Sequence, residues 1–187
     1  FEEAEQHARL AEAMNPGAMH VLLARIELAR KNFGAAEAQA LAAAKDPNFR
    51  LSGELLLAQT FAQQGRPAEA LPIVEKIEEE IGRAELGPVE SFGMIKGDVL
   101  ARLERYDEAI AAFREEIEHF PSNQQTYANL ALVYLVLDRP RDADRTFEEM
   151  VRHNPGRRSM LFAARTLDTL GDARGAAAWR QRAERVQ

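Results

Sequence analysis

The chain lacks cysteine altogether, has few aromatic residues and contains no long apolar run. The absence of cysteine excludes disulfide scaffolds, cysteine-based zinc sites, iron–sulfur centres and thiol catalysis, and it fits the cytoplasm and the periplasm equally. Because no apolar run approaches the roughly 18 residues of a membrane-spanning helix, direct membrane insertion is not expected. The net charge of −6 over 187 residues argues against nucleic acid as a partner, since nucleic-acid-binding domains carry a basic face that neutralises phosphates.

What the chain does contain is an internal repeat with a period near 34 residues. One small residue recurs at steps of 32 to 39 residues, as Ala4, Ala36, Ala70, Ala109, Ala143 and Ala176. Twelve residues before each of the last five lies a second small residue: Ala24, Ala58, Gly97, Ala131 and Ala164. Small side chains at a crossing let two helices approach closely, so this register predicts pairs of packed helices.

The spacing of the large apolar residues is helical throughout, with steps of three and four residues, and no stretch alternates with a period of two. The predicted turns within the pairs, at 64–67, 138–140 and 170–172, contain the Gly, Pro and Asp that tight connections favour. Pro67 and Pro140 are predicted in the first turn of the helices that follow, where proline costs no hydrogen bond.

Two segments carry a family resemblance. Residues 106–123 and 127–134 resemble the tetratricopeptide repeat (TPR), in which the first helix has a bulky residue, Leu, a small residue and Tyr. The second helix of that pattern has a small residue, an aromatic residue, another small residue and a closing Pro. The resemblance extends over essentially the whole chain and implies an all-α, right-handed α-solenoid of stacked antiparallel helix pairs, with about eleven helices.

The register predicts a single solenoid domain over residues 1–187. A half repeat at 1–15 is followed by five repeats at 17–48, 49–82, 88–121, 122–155 and 156–187. The 39-residue step predicts a longer loop around 81–88, acting as a slight hinge; a flexible boundary between two subdomains is the alternative. Because a solenoid needs polar terminal caps and neither end resembles one, we expect a fragment of a longer protein.

No motif for catalysis or metal binding is present, so neither an enzyme activity nor a cofactor is predicted. Gly93–Gly97 resembles a phosphate-binding loop but is expected inside a first helix. His119 and His153 share one repeat position near the ends of second helices, where interaction with the helix dipole is favoured over a paired metal site.

In the TPR family the first helices line the concave face, and ligands usually lie there. The resemblance therefore implies a protein or peptide ligand in a concave groove, contacting the positions three before and one after each small residue. Those positions are Val21, Arg25, Leu55, Gln59, Met94, Asp98, Ala128, Leu132, Leu161 and Arg165. Such a surface suits a peptide with apolar anchors. The lysine and asparagine clamp that some members use for the carboxylate of a chaperone tail is not matched, because Val21, Arg25 and Leu56 occupy its positions.

These observations favour a non-catalytic protein-interaction scaffold, by family analogy in bacterial complex assembly or secretion. One alternative is the accessory region of an enzyme whose catalytic domain lies elsewhere in the protein. Another is self-assembly into a homo-oligomer through uncapped ends. Residues 1–138 hold 13 basic and 23 acidic side chains, a net charge of −10, whereas residues 139–187 hold 11 and 7, a net charge of +4. Opposite charge of this kind favours end-to-end association or an acidic partner for the basic end.

Overall fold

The structure, a computed structural model, describes residues 15–186 and contains ten α-helices and no strand over that range. The helices are α1 (Pro16–Ala29), α2 (Phe33–Ala44), α3 (Arg50–Gln63), α4 (Pro67–Arg83), α5 (Phe92–Arg102), α6 (Tyr106–His119), α7 (Gln124–Val136), α8 (Pro140–His153), α9 (Arg157–Thr169) and α10 (Ala173–Glu184). The predicted all-α fold is therefore confirmed. The predicted half repeat that contains Ala4 lies outside the described residues.

Within each of the stretches α1–α4 and α6–α10, helices that follow one another in the chain pack as neighbours. α1 packs on α2 and α3 on α4, while α7 packs on α8 and α9 on α10. The first helices also meet across repeats, since α1 contacts α3 and α7 contacts α9. This is the pattern of stacked helical hairpins, because each hairpin covers an apolar face that it could not bury alone.

The contacts divide the chain into two compact units. The first unit runs to Gly87 and includes Asp98–Glu104, and the second comprises Pro88–Gly97 together with Arg105 and all that follows. Residues 84–91, between α4 and α5, form the longest connection in the described part of the chain. The assignment of the whole chain to one solenoid domain stays a prediction.

The small residues of the repeat register lie at buried helix contacts. Ala24, Ala58, Ala131 and Ala164 on the first helices are buried, as are their alanine partners on the second helices. Gly97 in α5 shows why the position must be small: a Cβ atom there would lie 2.5 Å from the ring of Phe113. Gly93–Gly97 is helical, as predicted, and forms no phosphate-binding loop.

Each turn within a hairpin contains one residue with a left-handed backbone. These residues are Lys31, Gly65, Glu104, Asp138 and Gly171. After Lys31, Gly65, Asp138 and Gly171, the following amide closes the helix by donating to a carbonyl five residues earlier, as in the bond from Arg139 N to Tyr134 O of 2.8 Å. The helices α4 and α8 begin at Pro67 and Pro140, as the sequence predicts.

Candidate functional site

In the first unit, the predicted ligand positions are mostly engaged in packing. Val21 is half-buried against the core cluster that contains Ala24, Leu56 and Leu57. Leu55 is buried, so its side chain offers no surface to a ligand. Only Arg25 is exposed, and Gln59 is half-buried.

The predicted positions on α5 are also partly occupied. Met94 is half-buried, and its sulfur lies 3.6 Å from Nδ2 of Asn123. Asp98 pairs with Arg102 one turn later, at 3.0 Å. The single acidic residue of the predicted ligand surface is therefore held by its own helix.

In the second unit, the exposed side of α7 is apolar. Leu132 is 42% exposed and Val136, one turn further on, is 56% exposed. Ala128 is buried, so it supports this surface from beneath without contributing to it. Val136 was not among the predicted positions, although it lies four residues after Leu132 on the same side of the helix.

The helix α9, which contacts α7, carries exposed positive charge. Arg165 is exposed, Leu161 is half-buried, and Arg158 lies two turns before Arg165 and is exposed as well. Neither arginine makes a hydrogen bond or an ion pair within residues 15–186. A hydrogen bond of 2.9 Å from Gln124 Nε2 to Ser159 Oγ joins the two helices at their N-terminal ends.

We call this surface the α7–α9 face and define it by five residues: Leu132, Val136, Arg158, Leu161 and Arg165. It combines two exposed aliphatic side chains with two cationic groups that have no internal partner in the described range. It provides neither a nucleophile nor a general base. Chemically it can bind, because it offers apolar contact area and charge to a complementary surface, and it has no group that performs a reaction.

A buried carboxylate in the second unit was not predicted from the sequence. Glu116 of α6 is only 3% exposed and accepts hydrogen bonds from the backbone amides of Ser91 at 2.7 Å and Gly93 at 3.0 Å. It thereby caps the N-terminus of α5 from another helix. Burial raises the pKa of Glu116 above the ordinary value, and the two amide bonds oppose that shift. Its role is structural.

The two histidines of the predicted pair have different surroundings. His153 Nδ1 lies 2.7 Å from the hydroxyl of Tyr127, whereas the ring of His119 packs edge-on against Phe120. Burial raises the pKa of Tyr127 to about 12, so this hydroxyl stays protonated. Within the described range, no group of three or more histidine or acidic side chains is placed to hold a metal ion.

The fold defines a class: an all-α repeat protein built from stacked helical hairpins. Comparison with known proteins agrees with this class. The model of the tetratricopeptide repeat family matches residues 92–124, which contain α5 and α6. No curated protein matches the chain. Across residues 15–186, no helix combines the length and apolar character that a membrane crossing requires.

Solved structures of TPR proteins share the fold. A thermophilic TPR protein of Thermus thermophilus superposes with a TM-score of 0.69 at 16% identity, covering 89% of each chain. A tetratricopeptide repeat protein of Parabacteroides merdae gives 0.67 at 14% identity, covering 99% of this chain and 72% of the other. MamA from Desulfovibrio magneticus gives 0.55 at 14% identity, covering 90% and 93%. The repeat matched at residues 92–124 and the fold shared with these structures support a tetratricopeptide repeat fold for the chain.

Proposed function

We propose that this protein is a non-catalytic scaffold that holds a protein or peptide partner against its first helices, with the α7–α9 face as the principal contact. The observation that carries the proposal is the exposure of Leu132 and Val136 on α7, together with two exposed cations, Arg158 and Arg165, on the adjacent helix α9 that have no partner within residues 15–186. Exposed aliphatic side chains beside arginine are typical of interaction surfaces. A partner buries the apolar atoms, and its acidic groups can pair with the arginines.

The chemistry of the face specifies the partner in outline. An amphipathic segment with aliphatic or aromatic anchors would cover Leu132, Val136 and the exposed part of Leu161. Acidic side chains beside those anchors would meet Arg158 and Arg165, whose planar guanidinium groups accept a carboxylate in two-point geometry. The partner is therefore a peptide segment that combines apolar and acidic residues.

The remaining predicted positions have lesser roles in this proposal. Val21, Arg25 and Gln59 would form a further contact area in the first unit, of which Arg25 is the exposed member. Met94 and Asp98 of α5 would each add a separate contact. Leu55 and Ala128 are buried and maintain the packing of α3 and α7.

The test is selection of a random peptide display library on the 187-residue chain, followed by binding measurements with single variants. We expect the selected peptides to combine apolar and acidic residues, and Leu132→Ser or Arg165→Gln to weaken their binding at least about tenfold. Leu41→Ser is the matched control, because Leu41 is 44% exposed on the second helix α2. Peptides that bind all variants equally, or that lack acidic residues, would contradict the proposal.

The two alternatives remain distinct from this function. An accessory role beside a catalytic domain would use the same face, and only the full-length protein separates it from a free-standing scaffold.

Self-assembly gains no support from α10. Arg180 there pairs with Asp168, whereas the equivalent residue of α8 is the buried Phe147, so the outer side of α10 is polar. Light scattering that shows a monomer at low salt would count against self-assembly.

A further inference from the structure

The α7–α9 face has two ends that can be told apart. At one end, Gln124 Nε2 in the first turn of α7 donates a hydrogen bond of 2.9 Å to Ser159 Oγ in the first turn of α9. At the other end, Leu135 and Leu167, near the last residues of the same two helices, line one cleft. The two helices therefore run side by side in the same direction, and we call these the N-terminal end and the C-terminal end of the face.

The N-terminal end carries positive charge that nothing in the second unit balances. Arg157 and Arg158 are exposed in the first turn of α9 and have no partner within residues 15–186. The sequence has no acidic residue at all over 150–167, and α7 has no charged residue. The first acidic group of α9 is Asp168 in its last turn, where it pairs with Arg180.

The C-terminal end is apolar, and its charges balance. Leu132 and Val136 expose 42% and 56% of their surface in the second half of α7. Equal numbers of acidic and basic residues line the cleft at this end: Asp144, Asp172, Arg174 and Arg182. Arg165 lies between the two ends, since it holds the same repeat position as Leu132. The face therefore changes along its length from cationic to apolar.

The stability of α9 does not explain this arrangement. The dipole of a helix favours acidic side chains in the first turn and basic ones in the last turn. α9 has no acidic residue in its first turn and no basic residue in its last turn, and its first turn instead holds Arg157 and Arg158 side by side. Both arginines repel the positive end of the dipole and each other, so an external negative charge would relieve an unfavourable local field.

We propose that the segment bound by the α7–α9 face has its acidic residues at one end, against Arg157 and Arg158, and its apolar anchors at the other, against Leu132 and Val136. The inference rests on the proposed function and adds the order in which the partner's residues are laid out. Carboxylates at the C-terminal end would meet apolar side chains and balanced charges there, and would gain no pairing.

The helix geometry also sets the spacing. At about 1.5 Å per residue, Leu132 and Val136 lie about 12 and 18 Å along the helix axis from Gln124 at the N-terminal end. An extended segment advances about 3.3 Å per residue, so it reaches the first anchor after about four residues and the second after about two more. Side chains two residues apart point to the same side of such a segment, which places both anchors on the face.

The test uses two peptides of identical composition and charge. The block peptide, acetyl-Asp-Asp-Gln-Gln-Leu-Gln-Leu-amide, keeps the acidic residues apart from the anchors and is also made in reverse order. The mixed peptide, acetyl-Asp-Gln-Leu-Gln-Leu-Gln-Asp-amide, keeps the spacing of the anchors but has one acidic residue at each end. Its sequence is the same in both directions. Each is titrated into the ¹⁵N-labelled chain, and the amide shifts of α7 and α9 give the affinity.

We expect the better of the two block peptides to bind about fivefold more tightly than the mixed peptide. Arg158→Gln should remove most of this preference. Arg145→Gln is the matched control, because it removes the same charge from the exposed side of α8, and it should leave the preference unchanged. Leu132→Ser should weaken the block and mixed peptides by the same factor, since both use the apolar anchors.

A nitroxide label on the bound block peptide reports its placement directly. A label at the acidic end should broaden the amide resonances of Arg158 and Ser159, and a label at the apolar end those of Val136 and Leu137. Equal affinity of block and mixed peptides, or broadening of Val136 by the label at the acidic end, would overturn the inference and leave the proposed function standing. If no peptide shifts the resonances of α7 or α9, the proposed function fails and the inference fails with it.

Discussion

The first and second units build the same helical hairpin from different cores. In α2 of the first unit, three buried residues on one side are alanines, Ala36, Ala40 and Ala43. The equivalent positions of α8 in the second unit are Ala143, Phe147 and Met150, which are also buried. One hairpin therefore uses methyl groups where the other uses a ring and a thioether.

The difference shows in how closely the backbones approach. A Cβ atom on Gly53 of α3 would lie 2.4 Å from the backbone nitrogen of Ala44 and 2.7 Å from the carbonyl oxygen of Ala40. The helices α2 and α3 thus meet backbone to backbone. In the second unit the ring of Phe147 lies edge-on to Trp179, with centroids 6.2 Å apart. Small residues stabilise a hairpin because they let the two helix backbones approach closely, and large residues stabilise it through the apolar area that they bury.

The largest effect is expected from removing a ring in the second unit. Phe147→Ala should lower the free energy of unfolding by about 3–5 kcal/mol, because it leaves a cavity in a buried contact. Urea unfolding followed by the fluorescence of Trp179 measures the change in that region. Arg145→Ala, on the exposed side of the same helix, is the control and should change little. A loss below about 1 kcal/mol in Phe147→Ala would contradict the role given to this ring.

In the first unit, stability is most sensitive to the addition of a methyl group between two packed helices. Gly53→Ala should lower the free energy of unfolding by about 1–3 kcal/mol, because the added methyl group meets backbone that cannot move aside. Gly34→Ala is the matched control, since a Cβ atom there meets nothing within 4 Å. We expect that control to be neutral or stabilising, as alanine favours helix over glycine. Equal behaviour of the two variants in urea unfolding followed by circular dichroism would refute the backbone contact.

Glu116 marks a further difference, because its equivalents Ala43 and Met150 are apolar. Glu116→Ala should cost about 1–3 kcal/mol, as it leaves the amides of Ser91 and Gly93 without their acceptor. The pKa of Glu116 is raised in the folded protein, so its stabilising contribution is complete below the ordinary pKa and is lost as pH rises through the raised value.

Glu116→Gln keeps an acceptor and removes this titration. We therefore expect the variant to gain stability relative to the wild type as pH rises from the ordinary glutamate range towards neutrality. Urea unfolding at a series of pH values measures the difference. A difference that stays constant or falls with pH would show that the carboxylate is not disfavoured by burial.

The smallest effects are expected in the turns. Lys31 has a left-handed backbone in the first unit, and Asp138 has one in the second. Lys31→Gly should raise the free energy of unfolding by up to about 1 kcal/mol, and Asp138→Gly by less, because aspartate adopts this conformation more readily than lysine. Gly65→Ala is the opposite control and should destabilise. Thermal unfolding of the three variants compares them, and a destabilised Lys31→Gly would contradict the turn geometry.

The fold was largely predictable because its main signal is local and periodic. A small residue at each crossing and helical spacing of the large ones predict hairpins wherever they occur, and the prolines mark where α4 and α8 begin. The same register assigned Leu55 and Ala128 to the ligand surface, and the structure buries both. A repeat register assigns one role to a position in every repeat, whereas burial depends on the side chains that pack around that position.

The sequence by itself determined the helical hairpins, the places where they cross and the excess of arginine towards one end. Tertiary structure alone decided that Leu132 and Val136 stay exposed while Leu55 and Ala128 are buried, that Glu116 caps a helix distant in sequence, and that a cleft opens beside Arg174. The physical reason is the distance along the chain over which each effect acts. Helix periodicity and turn chemistry act over a few residues, while exposure and the partner of a charge depend on groups that come together only when the hairpins stack.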